Sequence, residues 1–91
     1  MRFDWDPEKA ASNLRKHDVS FPEAESVFGD PLAMVFWDDE HSIEEKREII
    51  IGYSERQRLL VVSFTERGDD VIRIISARRA DPDERRKHEN E

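Results

Sequence analysis

The 91-residue chain contains no cysteine, only three glycines and a single tyrosine. The lack of cysteine excludes disulfide bonds, thiolate zinc sites and a cysteine nucleophile, and leaves only His and carboxylates as metal ligands. No stretch approaches the roughly 18 apolar residues of a membrane span, and the opening MRFDWDPEKA lacks the apolar region of a signal peptide. We therefore expect a cytoplasmic protein with no membrane partner.

Basic residues are fewer than acidic ones, 15 against 22, and they are unevenly distributed. The formal net charge is -7, with 4 Lys/Arg against 12 Asp/Glu in residues 1–45 and 11 against 10 in residues 46–91. At first sight such acidity argues against a nucleic-acid partner, because phosphate contacts are carried mainly by Lys and Arg. The apolar residues lie in strand-like runs, which favours a folded core over disorder. The length predicts one domain, residues 1–91.

The first helix has a clear beginning. Asp6 is a favourable N-cap and Pro7 suits the first helical position, so we predict a helix that ends near residue 16 or 17. Ala10, Leu14 and His17 follow helical spacing. This spacing predicts that they share the buried stripe, with His17 at its end.

Two further helices are predicted from capping patterns. Ser20 and Glu23 form a capping-box pattern before a short apolar helix, which Gly29 ends. Asp81 and Glu84 form a second such pattern before a polar C-terminal helix.

Runs rich in Ile, Val, Leu and Phe predict four strands, at residues 32–37, 47–54, 58–66 and 71–78. Short polar turns join the last three strands, which favours an antiparallel meander. The segment RFDW could add a short edge strand. The order of elements predicts an α+β fold, in which the helices cover one face of an antiparallel sheet of about four strands.

Arginines interrupt and close the most apolar segment, VIRIISARRA. If both hairpin loops had an even length, Arg73 and Arg79 would share one face with Glu66. Arginines on an uncovered face could make bidentate contacts to phosphate. The residues alone leave a second interpretation open, which is ordinary ion pairing, for example between Arg73 and Glu66.

The sequence has no P-loop, dinucleotide-binding glycine pattern, nucleophile elbow or paired-His metal motif. A reaction would therefore depend on general acid and base groups and on cationic stabilisation, with no metal and no organic cofactor. RNA cleavage by its own 2′-hydroxyl fits those means. By themselves, His17 and His88 are more often packed or solvated residues than catalytic ones.

The segments FDWDPEKAASNLRKHDVSFPEA, IIIGYSERQRLLVVSFTERGDDVIRIISARRA and DERRKHE together resemble the BrnT family, the toxins of bacterial type II toxin-antitoxin systems. The resemblance covers nearly the whole chain and depends on the pattern WD..KA..N..KH.VSF..A, on TERG followed by RIISAR, and on the ER of the last helix. It implies a compact fold similar to RelE-type ribonucleases, RNA cleavage that inhibits translation, and a BrnA-type antitoxin as partner. The toxin would form a hetero-oligomer with that antitoxin and contact operator DNA only through it.

The resemblance also implies roles for individual residues. We expect Arg73 and Arg79 to hold phosphate and stabilise the transition state, and His17 to transfer protons. Glu66 is the alternative base and His88 a weaker candidate acid. Accessory RNA contacts are expected from three further residues, Lys16, Arg67 and Arg78.

The acidic surface needs its own explanation. A toxin that is normally held in a complex could use it to bind a basic antitoxin segment, and the loop DDEHSIEE (38–45) or the acidic helices would then contact the antitoxin. The alternative function belongs to another class, a non-enzymatic interaction domain or a degenerate toxin that only binds its partner. Such a domain would not need the set of arginines and histidines.

Overall fold

The structure is a computed structural model that describes residues 1–41 and 45–90. Its elements are β1 (Arg2–Asp4), α1 (Pro7–His17), α2 (Phe21–Ser26), a 3-10 turn (Val27–Gly29), β2 (Met34–Trp37), a second 3-10 turn (Asp39–His41), β3 (Glu48–Tyr53), β4 (Leu59–Arg67), β5 (Val71–Arg79) and α3 (Pro82–Glu89). The strands form one sheet in the order β1-β5-β4-β3-β2, in which only β1 runs parallel to its neighbour. The predicted α+β fold is confirmed, with a fifth strand because the RFDW segment pairs with β5.

All three predicted helix starts are confirmed by their caps. The Asp6 carboxylate accepts a hydrogen bond from the Glu8 N–H at 2.9 Å, and the Ser20 hydroxyl accepts one from the Glu23 N–H at 3.1 Å. At α3 the capping box with Asp81 and Glu84 is complete. At α2 only the half of the capping box that Ser20 provides is formed. The Glu23 side chain turns inward and accepts a hydrogen bond from Arg58 instead.

The core lies between the first two helices and one face of the sheet. Phe21, Val19 and Val27 are fully buried against Leu60 and Val62 of β4. At the β1 side, the rings of Phe3, Phe28 and Phe64 form a chain of edge-to-face contacts with centroids 5.0 Å apart. Burial of these apolar side chains is the main stabilising contribution, at roughly 25 cal/mol per Å² of area removed from water.

The buried stripe of α1 differs from the predicted one. Leu14 is 49% exposed and His17 is exposed, whereas the polar Asn13 is 6% exposed. The Asn13 side chain accepts a hydrogen bond from the Ala77 N–H at 3.0 Å and donates to the Ala77 carbonyl at 2.8 Å. It thus takes the place of a neighbouring strand along the part of β5 that β1 does not reach. Apolar periodicity could not reveal this contact, because the residue that anchors the helix is polar.

The predicted assignment of residues to the two faces was wrong. The loops 54–58 and 68–70 have five and three residues, so residues of equal parity pair across β3 and β4, as in Ile50 with Val62. Within the β4 and β5 pair, a bulge shifts the register between Ser63 and Phe64. Arg73 therefore pairs with Thr65 and stands on the open face, whereas Arg79 pairs with Leu60 on the helix-covered face.

Candidate catalytic site

The predicted site residues divide between the two ends of the sheet. We name these ends after their loops, the 54–58 end and the 68–70 end. Glu66, Arg67 and Arg73 lie at the 68–70 end, and Arg79 lies at the 54–58 end beside Leu60. Arg79 follows Arg73 by six residue steps of strand, about 20 Å at about 3.3 Å per residue. Because the two arginines also lie on opposite faces, the geometry does not support the predicted joint grip on one phosphate.

The C-terminal turn of α1 lies at the 54–58 end, beside the end of β5. Arg58 donates from Nη2 to the Asp18 carbonyl at 2.9 Å, and the neighbouring Leu59 carbonyl accepts from the Ala80 N–H at 2.9 Å. Since Asp18 directly follows Lys16 and His17, these two side chains lie at the same end as Arg79.

Three of the predicted site residues, Lys16, His17 and Arg79, are exposed. Within residues 1–41 and 45–90, none of their side chains takes part in a hydrogen bond or ion pair. A cation with no protein partner keeps its hydrogen-bond donors available for an anion. This end of the sheet therefore presents three available cationic or titratable groups.

Arg78, at the same end but on the open face, is already engaged. Its guanidinium donates two hydrogen bonds of 2.8 Å to the Glu84 carboxylate of α3. The bond to Arg78, helped by the Asp81 N–H, lowers the pKa of Glu84 to about 2. This bidentate pair holds α3 against the sheet, so Arg78 positions the helix that carries His88.

His88 lies over the open face of the sheet. Its ring is edge-to-face with Tyr53, with the ring centroids 6.0 Å apart. The Tyr53 hydroxyl donates to Glu89 at 2.9 Å, and this bond is the main reason that the pKa of Tyr53 is raised. His88 also lines an open groove of about 430 Å³ beside Leu32 and Met34.

The arginines at the 68–70 end are ion-paired. Arg73 lies 3.3 Å from Asp4 of β1, not beside Glu66 as suggested from the sequence, because Glu66 stands on the other face. Arg67 lies 3.3 Å from Glu45, and its Nε donates to the Thr65 hydroxyl at 3.3 Å. At exposed or half-exposed positions such pairs contribute little stability, so an anionic ligand could displace them.

Glu66 forms a carboxyl pair with Glu48 of β3. Glu48 is only 9% exposed, and its pKa is raised to about 7, first by burial and then by the hydrogen bond and the negative charge of Glu66. Near neutral pH the Glu48 carboxyl is therefore partly protonated.

A sequence model of one protein family matches residues 5–84, and the family is described as the ribonuclease toxin, BrnT, of type II toxin-antitoxin systems. The chain belongs to the BrnT family. Its structure is also similar to the 1.1 Å crystal structure of the Brucella abortus ribonuclease toxin BrnT, with a TM-score of 0.69 and 26% sequence identity. The similarity covers 89% of this chain and 97% of that one. No curated protein sequence matched the chain.

BrnT membership confirms the resemblance and the α+β fold inferred from sequence, and it places the chain among ribonuclease toxins that act with an antitoxin. The individual catalytic roles stay predictions. Within the part of this BrnT-family chain that the structure describes, no three His, Asp or Glu side chains are grouped to hold a metal ion. None of the helices in that part is long and apolar enough to cross a bilayer.

Sequence reasoning overlooked a buried ion pair in this BrnT family member. Glu23 is 3% exposed and receives hydrogen bonds from Arg58 Nε at 2.9 Å and from the Ser54 hydroxyl at 2.7 Å. The bond from Arg58 outweighs burial and lowers the pKa of Glu23. The pair joins α2 to the loop 54–58 beside Asp18, which Arg58 also contacts. The capping pattern had concealed this role of Glu23.

The carboxyl pair of Glu48 and Glu66 predicts a pH-dependent stability. A folded-state pKa of about 7, above the ordinary value of 4.5, means that the contribution from protonated Glu48 is complete below pH 4.5 and is lost as the pH rises through 7. Glu48→Gln cannot ionise there, so it should raise the free energy of unfolding at pH 8 by about 1 to 3 kcal/mol and change little at pH 4.

Urea unfolding of both proteins between pH 4 and pH 9 measures this difference. Glu55→Gln is the matched control, because Glu55 is exposed in the loop 54–58. Its pH profile should parallel that of the unmodified chain. Parallel profiles for Glu48→Gln as well would show that Glu48 does not titrate near neutrality.

Proposed function

We propose that the chain, acting as a single toxin domain over residues 1–91, is an endoribonuclease that cleaves RNA through the 2′-hydroxyl and without a metal cofactor. The observation that carries this proposal is the presence of three groups with available donors, Lys16, His17 and Arg79, where α1 meets the end of β5. Together these three side chains can bind a phosphate and transfer a proton, which are the two requirements of this reaction.

In the proposed reaction, His17 accepts the proton of the 2′-hydroxyl, and the 2′-oxygen forms a bond to phosphorus. Arg79 stabilises the additional negative charge of the phosphorane, and Lys16 holds the RNA backbone. The bond from phosphorus to the 5′-oxygen breaks, and that oxygen takes up a proton. The products are a 2′,3′-cyclic phosphate and a 5′-hydroxyl.

The remaining predicted residues receive secondary roles. His88 stays a weaker candidate acid for the leaving oxygen, because α3 places it at the same end of the sheet but on the open face, opposite the face that carries Arg79. Arg67 and Arg73 would contact RNA further along the strand, at the 68–70 end. Glu66 stays the alternative base, and it lies beside the buried Glu48 carboxyl, whose pKa it helps to raise. If Glu66 is the base, the reaction takes place at the 68–70 end.

We further propose that cleavage inhibits translation and that a BrnA-type antitoxin neutralises the chain. The antitoxin would mediate any contact with operator DNA. The acidic N-terminal half supports a basic antitoxin surface. Part of the loop first expected to make this contact, residues 42–44, lies outside the described residues.

The test is cleavage of purified RNA by the purified chain in the presence of EDTA. We expect fragments that end in a 2′,3′-cyclic phosphate, and growth arrest on induced expression that is relieved by the antitoxin encoded beside the gene. Loss of cleavage in EDTA with recovery on adding Mg²⁺ would contradict metal independence. Intact RNA under all conditions, with retained antitoxin binding, would favour the non-enzymatic interaction domain.

A further inference from the structure

The edge strand β2 exposes an apolar surface without the usual protection. Val35, Phe36 and Trp37 are 54%, 45% and 60% exposed, and β2 contains no charged residue and no proline. The opposite edge strand, β1, carries the charged Arg2 and Asp4. Edge strands normally avoid unwanted pairing by charge, proline, bulges or a covering segment. β2 therefore has the properties of a strand that pairs with another chain.

The backbone of β2 has outward-facing hydrogen-bond groups. Asp38, which follows β2, donates from its N–H to the Arg47 carbonyl at 2.9 Å, so the backbone of Asp38 points toward the β3 side. In antiparallel pairs this direction alternates, so the N–H and C=O of Val35 and Trp37 point away from β3. Outside the sheet ladder, no hydrogen bond among residues 1–41 and 45–90 involves these groups. Two residues are thus positioned to pair with an added strand.

Apart from Lys46, whose ammonium lies 6.0 Å from the centroid of the Trp37 ring, the surroundings of β2 are acidic. Residues 17–45 contain nine Asp or Glu and no Lys or Arg. Asp30 precedes β2, and Asp38, Asp39 and Glu40 follow it. An added strand would need basic residues at its ends to complement these charges, with apolar residues between them to cover Val35 and Trp37. A second copy of this chain is disfavoured, since pairing β2 with itself would bring the acidic segments of both copies together.

We propose that β2 is the docking site for an extended segment of the antitoxin, apolar in its centre and basic at its ends, that adds a sixth strand to the sheet. This inference rests on the proposed toxin function for the identity of the partner. On the open face, β2 borders a groove lined by Met34, Phe36 and His88. A strand bound there would therefore also cover the groove beside His88 and so link docking to neutralisation.

The test uses Val35→Pro and Trp37→Lys, with the antitoxin encoded beside the gene as the binding probe. Proline removes an outward N–H and leaves the bonds to β3 in place, and lysine places a cation opposite the basic segment. We expect the dissociation constant to rise at least about tenfold for each variant. Leu14→Lys, a similar change on exposed α1, is the matched control and should bind within about threefold.

Amide hydrogen exchange gives an independent measurement on the unmodified chain. The Val35 and Trp37 amides should exchange rapidly when the chain is free and become protected in the complex. The Phe36 amide, which faces β3, should be protected in both states. Unchanged exchange at Val35 and Trp37 on antitoxin binding, or unchanged affinity of Trp37→Lys, would overturn the proposal even if Val35→Pro fails to fold.

Two further results separate this inference from its alternatives. Dimerisation of the isolated chain that is lost in Trp37→Lys would assign the edge to a second copy and overturn the antitoxin assignment. RNA cleavage is measured for each variant without antitoxin, and it should be retained. If the unmodified chain does not cleave RNA but binds the antitoxin through β2, the proposed activity fails and the docking site stands.

Discussion

Arg79→Ala should lower the rate of RNA cleavage by about 100-fold or more, the typical effect of removing one donor that stabilises a transition-state charge. The reason is that the Arg79 side chain has no partner in the described part of the chain and lies at the same end of the sheet as the turn that carries Lys16 and His17. The measurement is the initial rate on purified RNA under single-turnover conditions. Arg79→Lys should recover only part of the rate, because an ammonium cannot make the bidentate contact of a guanidinium.

Arg73→Ala is the matched control for this prediction. Arg73 is an arginine of the same strand, but it is ion-paired with Asp4 and lies at the 68–70 end. We expect its loss to lower the rate less than about tenfold, as for a contact to flanking RNA. The reverse result, with Arg73→Ala inactive and Arg79→Ala active, would move the reaction to the 68–70 end, away from Lys16 and His17. Thermal unfolding of Arg79→Ala should stay close to that of the unmodified chain, because the Arg79 side chain is exposed.

Glu23→Gln should have the largest effect on stability, a loss of about 3 to 5 kcal/mol in the free energy of unfolding. The amide keeps the size of the carboxylate but leaves the Arg58 guanidinium, which is 12% exposed, with only the exposed Asp18 carboxylate at 3.8 Å as a counter-charge. Because the folded-state pKa of Glu23 is lowered, its contribution is present above the ordinary pKa of 4.5 and is lost as the pH falls through the folded-state value. The difference between the two proteins should therefore be large at pH 7 and shrink in acid. Urea unfolding at both pH values measures it.

The double variant Glu23→Leu with Arg58→Met tests whether the charge left on Arg58 causes this loss of stability. Removing both charges should restore most of the stability, since no buried charge is then left without a partner. Arg86→Gln is the control for an ordinary surface pair. Arg86 and Asp83 are 66% and 79% exposed, so the expected change is within about 1 kcal/mol. A loss for Glu23→Gln no larger than for Arg86→Gln would show that the buried pair does not stabilise the fold.

Local sequence patterns were sufficient for the helices and the strand runs. Asp6, Ser20 and Asp81 each cap the helix that was predicted to begin after them. The cause is local, because a capping side chain bonds to a backbone group two or three residues away. The sequence motifs were also sufficient to predict membership of the BrnT family, since they follow one another in order along the chain.

Contacts between distant segments could not be predicted in this way. Asn13 bonds to Ala77 across 64 residues, and Glu23 bonds to Arg58 across 35. Glu48 gains its raised pKa because the fold buries it and because β3 and β4 bring it beside Glu66. In each case the role of a polar residue depends on a partner that is distant in sequence. The residues next to it in the sequence do not indicate that partner.

The arginines of VIRIISARRA show which properties follow from the sequence and which depend on the tertiary structure. The sequence by itself determined that a strand forms there, that arginines interrupt and close it, and that the chain is a BrnT toxin. Only the tertiary structure decided that Arg73, Arg78 and Arg79 have three different surroundings. The physical reason is that two loops of odd length and one bulge set the register, and a shift of one residue moves a side chain to the opposite face of the sheet.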